Sequence, residues 1–201
     1  MKTIVTGGAG FIGSHLIDKL LAEGHQVLAI DNFVSGQKSN IEHNFSNSNF
    51  CLVEADVADF DKIAEYFKSV DWVFHLAALA DIVPSIERPL DYHHSNVAGT
   101  VSCLEAARKA GVKRFIYAAS SSCYGIPDQY PTNEEAEIRP MYPYAFTKYI
   151  GERYLLHWQQ VYGLPCVALR FFNEFSKSIR VHRTDFRLFI SWILIRNPIA
   201  T

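Results

Sequence analysis

Short apolar runs alternate with longer amphipathic stretches along almost the whole chain, and that alternation predicts its elements. Runs rich in β-branched and other apolar residues read as strands near 2–6, 26–30, 50–54, 71–75, 113–118 and 165–170. Between them, apolar positions recur at helical spacing and predict helices near 11–23, 59–68, 91–110 and 143–162. Strands separated by helices form parallel βαβ units, and right-handed crossovers wind such units into a doubly wound α/β sheet. Ligands of these sheets bind outside the carboxyl ends of the strands, so those ends carry the residues of interest.

The first strand runs directly into Thr6-Gly7-Gly8-Ala9-Gly10-Phe11-Ile12-Gly13 and from there into the first helical pattern. Gly7 suits a tight turn, Gly10 lets the backbone approach a pyrophosphate, and Gly13 allows the helix to pack closely on the strand. The helix start at Phe11 and Ile12 offers free N–H groups to an anion. Asp31 lies eighteen residues past Gly13, at the end of the apolar run Val27-Leu28-Ala29-Ile30. A carboxylate there accepts hydrogen bonds from the adenosine ribose hydroxyls and repels a 2′-phosphate, which favours NAD over NADP. Singly, the glycines are ordinary loop formers and Asp31 a solvated turn residue; the strand–turn–helix context makes them a dinucleotide cradle.

Other strand ends add to this picture. Asp56-Val57 follows the third strand, where the pair can flank an adenine, and His75-Leu76-Ala77-Ala78 closes the fourth with small side chains that let backbone lie against a cofactor. Each is also compatible with plain packing. Asn96 reads either as a residue that hydrogen-bonds backbone near the site or as a helix-surface asparagine.

Composition narrows the class. The 201 residues, 49% hydrophobic and 20% charged, suffice for one globular domain with a sizeable core. A net charge of −2, with no block of Lys and Arg along the first 170 residues, predicts a small-molecule partner and no nucleic acid. Cys51, Cys103, Cys123 and Cys166 form no C-x-x-C pair, which argues against a zinc site and a disulfide framework. His93 and His94 point about 100° apart on a helix and predict no metal site. The apolar residues before Gly7 form a strand and no signal peptide, so the expectation is a cytoplasmic protein with no membrane segment.

The fifth strand leads into Ser120-Ser121-Ser122-Cys123-Tyr124-Gly125, and Tyr144-Ala145-Phe146-Thr147-Lys148 begins twenty-four residues past Ser120. Tyr144 and Lys148, at i and i+4, share one helix face. A nearby ammonium favours the phenolate, and a bound NAD⁺ adds further positive charge, so Tyr144 is the candidate base. Ser120 is placed to hold the hydroxyl being deprotonated, which completes a base, its tuner and a positioning group. Tyr-x-x-x-Lys also occurs in many helices for structural reasons; its company here carries the catalytic reading.

Together these residues resemble the extended short-chain dehydrogenase/reductases, specifically the NAD-dependent nucleotide-sugar epimerases and dehydratases of the UDP-glucose 4-epimerase type. The resemblance runs from Met1 to about Asn173. It rests on TGGAGFIGSH, Asp31-Asn32, Ala55-Asp56, HLAA, the serine run before YG, YAFTK and LRFFN. It implies a Rossmann fold with NAD as a tightly held cofactor, and a hydride that leaves the sugar C4 and returns to the opposite face of a transient 4-keto sugar. It implies Tyr144 as general base, Lys148 as ligand of the nicotinamide ribose, and Ser120 as ligand of the sugar O4. Asn173, with Ser120, Ser122 and Tyr144, falls to the UDP-sugar substrate. Asn32, Ser35, Gly36, Asp56, Val57, Leu76, Ala77, Ala78, Asn96 and Phe171 join the glycine turn and Asp31 around the cofactor. The dehydratases and decarboxylases of the family carry an acid where Ser122 stands, which favours epimerisation; the serine run is similar to epimerases of UDP-N-acetylated hexoses and their uronic acids. Helices matching 91–110 and 143–162 belong to the family's dimer interface and imply a homodimer.

Residues 174–201 depart from the family pattern. This stretch has no glycine, five Lys or Arg against two acids, and the apolar run Phe189-Ile190-Ser191-Trp192-Ile193-Leu194-Ile195. It reads as an atypical tail standing in place of the C-terminal substrate lobe, left by a frame shift or truncation, and it implies lost substrate contacts. Two functions of different class therefore stand: a nucleotide-sugar 4-epimerase, inactivated if the lobe is absent, and a non-catalytic NAD-binding module or redox sensor. Within the family, a dehydratase or decarboxylase is the alternative.

Overall fold

The computed structural model describes residues 1–172. In chain order, β1 (Lys2–Thr6) leads through the glycine turn into α1 (Phe11–Ala22), and β2 (Gln26–Asp31) and β3 (Phe50–Glu54) follow. After α2 (Phe60–Ile63) and β4 (Trp72–His75) come α3 (Ile82–Glu87), α4 (Pro89–Tyr92) and α5 (Gly99–Ala110). β5 (Arg114–Ser120), α6 (Pro143–Tyr162) and β6 (Cys166–Phe171) close the described part.

Every strand pairing is parallel, and the sheet order is β3-β2-β1-β4-β5-β6. The chain winds outward from β1 to β3, returns across the sheet to β4 and winds outward on the other side. A crevice opens where the winding reverses, between the carboxyl ends of β1 and β4, and this is where such sheets take their ligands. The expected doubly wound sheet is therefore present, with all six expected strands.

Apolar layers cover both faces. Successive β1 residues Ile4 and Val5 belong to opposite layers, and both are fully buried. Ile17, Leu20 and Leu21 of α1 pack with Val5, Val27 and Ala29 on one side. Leu104 and Ala107 of α5 and Leu155 of α6 pack with Phe115 and Tyr117 on the other. A sheet covered twice needs near-continuous apolar strands, which is why the strands were readable as runs. The buried face of α6 is unusual: Ala145, Thr147, Lys148, Gly151, Glu152 and Leu155 recur at helical spacing, and two of them are charged.

The helices differ from expectation in detail. The stretch read as one helix over 59–68 is a single α-turn, capped by the Asp59 carboxylate, followed by a 3₁₀ turn at Ala64–Phe67. The helix expected at 91–110 starts earlier, at Pro89, and widens into a π-turn at His93–Ala98 before α5. The six-residue α3 was not anticipated, because it is too short to display a helical period. β5 extends two residues past the expected end, which makes Ser120 its last residue. The boundary expected at 173/174 and the tail beyond it lie outside the described residues.

Candidate active site

Two clefts meet at the carboxyl ends of the strands. The smaller, about 90 Å³, is lined by Gly7, Gly10, Asp31, Asn32, Ser35, Val57, Leu76, Ala77 and Ala78, with Ile30, Ala55 and Ser95. The larger, about 600 Å³, holds Ser120, Ser122, Tyr144 and Lys148, with Ile12 and Phe171 in its wall. Leu76 and Ala78 line both. A ligand lying along them reaches from Asp31 to Tyr144.

The glycine turn is shaped by backbone crowding. Gly7 has φ +68°, and a Cβ there would lie 2.7 Å from the Ala77 nitrogen. A Cβ on Gly13 would collide with the Gly7 carbonyl oxygen. Gly13 thus packs helix against turn and leaves the cleft to its neighbours. A side chain at Gly7 would strike the backbone of Leu76 and Ala77, and one at Gly13 would push α1 off the turn, and this bare backbone fits a pyrophosphate.

Asp31 closes the other end of the cradle. One carboxylate oxygen accepts from the Ala9 backbone N–H and the other from the Phe33 N–H, each at 2.8 Å. Phe33 pays a positive φ of 58° for that contact. Gly36 packs so tightly on the carboxylate that a Cβ would stand 2.8 Å from one of its oxygens. The carboxylate oxygens retain lone pairs for two further donors, which suits a ribose diol.

Asp56, by contrast, is engaged locally: it accepts from the Ala58 N–H at 2.9 Å and lies 3.3 Å from the His94 ring. Val57 reaches the cleft and is buried. Phe11 is exposed, its ring 4.9 Å from that of His15.

Asn96 settles its two readings in favour of the backbone contact. Its amide oxygen accepts from the Leu79 N–H at 2.8 Å, and its amide nitrogen donates to the Leu79 carbonyl and to the Thr147 hydroxyl, both at 3.0 Å. It pins the segment after Ala78 to α6 from within the π-turn, a distortion common at functional sites.

Beneath the crevice runs a directed hydrogen-bond chain. Thr100 donates to the Asn96 carbonyl at 2.6 Å, so its oxygen accepts from Nε2–H of His75 at 3.0 Å. Nδ1 of His75 then accepts from Thr6 at 2.7 Å, and Thr6 accepts from the Ala77 N–H at 3.3 Å. Complete burial, with a smaller contribution from Lys148, pushes the His75 pKa down to about 3 and keeps the ring neutral.

In the larger cleft, Ser120 Oγ lies 2.8 Å from Ser122 Oγ and accepts from the Ser122 N–H. The Tyr144 ring stacks on Tyr142 at 6.4 Å and meets Tyr92 edge-on at 6.5 Å. Burial raises the Tyr144 pKa, a hydrogen bond with Ser120 opposes it, and Tyr142, Tyr92 and Asp81 push it further up. This differs from the expectation of a phenol acidified by its lysine: the Lys148 ammonium sits 4.4 Å over the Tyr117 ring instead. Burial brings the Lys148 pKa down to about 7, with Glu152 acting the other way.

Glu152, one helical turn beyond Lys148, is held by Arg170 of β6 at 2.6 and 2.9 Å through both carboxylate oxygens. Arg170 also donates to the Tyr124 hydroxyl at 2.6 Å. Sequence reasoning did not find Tyr92, Tyr117, Tyr142, Glu152 or Arg170 as parts of the site. The small aromatic cluster had a weak signal in Tyr142-Pro143-Tyr144; the rest had none. Asn173 lies outside the described residues. Among the described residues, no group of three or more His, Cys, Asp or Glu could hold a metal ion, and no helix is long and apolar enough to cross a membrane.

The family profile described as the NAD dependent epimerase/dehydratase family matches residues 3–196. The chain belongs to this family. Its match continues past Asn173, where the motif resemblance stopped. NAD is the cofactor for which the cradle residues are suited.

A UDP-glucose 4-epimerase of Mycolicibacterium smegmatis is 42% identical over 170 residues, covering 83% of this chain and 54% of that protein. UDP-glucuronic acid decarboxylase 1 of Danio rerio is 34% identical over 198 residues, covering 96% of this chain and 46% of that protein. Among solved structures, a UDP-N-acetylglucosamine 4-epimerase from Methanobrevibacter ruminantium in complex with UDP-N-acetylmuramic acid superimposes with a TM-score of 0.82. It is 35% identical and covers 90% of this chain and 59% of that chain. The chain spans about half the length of the curated relatives it matches.

Proposed function

We propose that the protein is a nucleotide-sugar 4-epimerase acting on a UDP-hexose or UDP-N-acetylhexosamine through a transient 4-keto sugar. The observation that carries this reading is the shared cleft of Ser120, Tyr144 and Lys148, which opens onto the glycine cradle at Leu76 and Ala78. NAD, when bound, supplies a reversible hydride acceptor for the sugar C4.

The residues divide the remaining work. Ser120 holds the sugar O4 and orients its proton toward the Tyr144 oxygen. Tyr144 accepts that proton as the C4–H bond breaks, and returns it to O4 once hydride has come back to the other face of the keto sugar. Lys148 binds the nicotinamide ribose. Ser122, hydrogen-bonded to Ser120, is a neutral wall where proton transfer beyond C4 would require an acid. Asn173 is assigned to the substrate phosphate.

The test is proton NMR of the anomeric region after incubation with NAD⁺ and UDP-glucose or UDP-N-acetylglucosamine, with bound cofactor measured in the same sample. Formation of the C4 epimer is the expected result. Bound NAD without conversion would support the non-catalytic module instead. The long alignment to a decarboxylase favours one further assay. Release of CO₂ from UDP-glucuronate would replace epimerisation with decarboxylation.

Four free thiols fit a reducing compartment, and the reading places the protein in the cytoplasm. A homodimer through the helices at 91–110 and 143–162 belongs to the same reading, and light scattering tests it.

A further inference from the structure

Tyr117 is fully buried in the middle of β5, three residues before Ser120, and touches the substrate cleft nowhere. Both ends of Lys148 nevertheless meet it. The Tyr117 hydroxyl donates to the Lys148 backbone carbonyl at 3.1 Å, and the Lys148 ammonium lies 4.4 Å from the centre of the same ring. Space for the hydroxyl exists because residue 151 is glycine: a Cβ there would collide with the Tyr117 oxygen. The ring also lies near-parallel to His75, with centroids 5.8 Å apart and planes at 22°. His75 in turn is fixed by Thr6 and Thr100.

We propose that Tyr117 is the positioning residue of Lys148, its ring face serving as the seat of the ammonium and its hydroxyl as the anchor of the main chain. The inference rests on the role given to Lys148 above and deepens it. A buried ammonium normally loses its charge, and the negative face of an aromatic ring is one of few neutral groups that oppose this. Burial raises the Tyr117 pKa, so the group stays a phenol and contributes a quadrupole without a charge of its own.

Glu152 favours the ammonium from one turn along α6, but its carboxylate is held by Arg170 of β6. Tyr144 lies on the same helix, edge-on to Tyr92, and Asp81 acts on it electrostatically. His75, from β4, is neutral. The ring of Tyr117 is therefore the group that separates a seated ammonium from a mobile amine.

The experiment is an NMR titration of selectively ¹³Cε-labelled lysine in the full chain, with the Lys148 signal assigned by its loss in Lys148→Met. Tyr117→Phe keeps the ring, and 4-fluoro-, 3,5-difluoro- and 3,4,5-trifluorophenylalanine at 117 then weaken its face at nearly constant volume. The Lys148 pKa is expected to fall stepwise with fluorination, by about one unit over the series. Its ¹³Cε-bound protons are expected upfield in the wild type and displaced downfield in Tyr117→Leu. A flat series, or a wild-type signal without the ring-current shift, overturns the proposal. Neither readout needs turnover, so this failure is separable from failure of the epimerase assay. A purely structural role for Tyr117 predicts the flat series.

Discussion

Arg170 grips Glu152 with two of its nitrogens, at 2.6 and 2.9 Å, from a strand eighteen residues further along the chain. Both are almost fully buried, so neither charge has water to return to. Removing one partner strands the other: Arg170→Met is expected to cost about 3–5 kcal/mol of stability. The double variant Arg170→Met/Glu152→Leu is expected to recover most of that loss. Urea unfolding of the two single variants, the double variant and the wild type gives the coupling; additive losses would contradict it.

Tyr144→Phe should preserve the fold and the affinity for NAD, because the ring contacts with Tyr142 and Tyr92 need no hydroxyl. Sugar oxidation should fall by about 10²–10⁴-fold, the worth of a general base. Calorimetry for NAD and a single-turnover assay for sugar oxidation separate the two. Parallel loss of both would remove the tyrosine from its assigned role.

Asp31→Ala should act on both recognition and the loop. The preference for NAD over NADP is expected to relax, since the carboxylate that repels a 2′-phosphate is gone. The buried Ala9 N–H loses its acceptor, a cost of about 1–3 kcal/mol. Comparing affinities for the two cofactors checks the first effect, and thermal unfolding the second. An unchanged preference would move ribose recognition elsewhere.

His75 makes stability depend on pH in a definite direction. Its pKa falls from 6.5 to about 3 on folding, so the unfolded chain binds the extra proton in that window. The His75 contribution is fully present above pH 6.5 and is lost at about 1.4 kcal/mol per unit as the pH falls toward 3. Urea midpoints at pH 7, 6 and 5 should therefore drop more steeply for the wild type than for His75→Gln. Parallel slopes would mean that the ring titrates normally.

The strands and the glycine turn were legible because their causes are local. Ile4 and Val5 are both core residues on opposite faces, and a strand buried twice advertises itself as a run. Gly7 and Gly13 are read from the turn that they permit. The pair Tyr144 and Lys148 was legible because residues four apart on a helix share a face. The seating of Lys148 was not, since Tyr117 is thirty-one residues away and neither residue hints at the other. Nothing in the sequence around Glu152 signals its burial, since its partner Arg170 comes from β6, eighteen residues on. Asn96 carried two readings until the π-turn directed it at Leu79.

The chain from Ala77 through Thr6, His75 and Thr100 to Asn96 passes each proton in one sense, and its side-chain hydroxyls have no donor to spare. It consequently works as a latch on register. If β4 slid by one residue against β1, the imidazole would face the other side of the sheet and both threonines would be left misdirected in a dry interior. The floor of the crevice is thereby fixed in register from beneath by Thr6, His75 and Thr100, none of which lines either cleft.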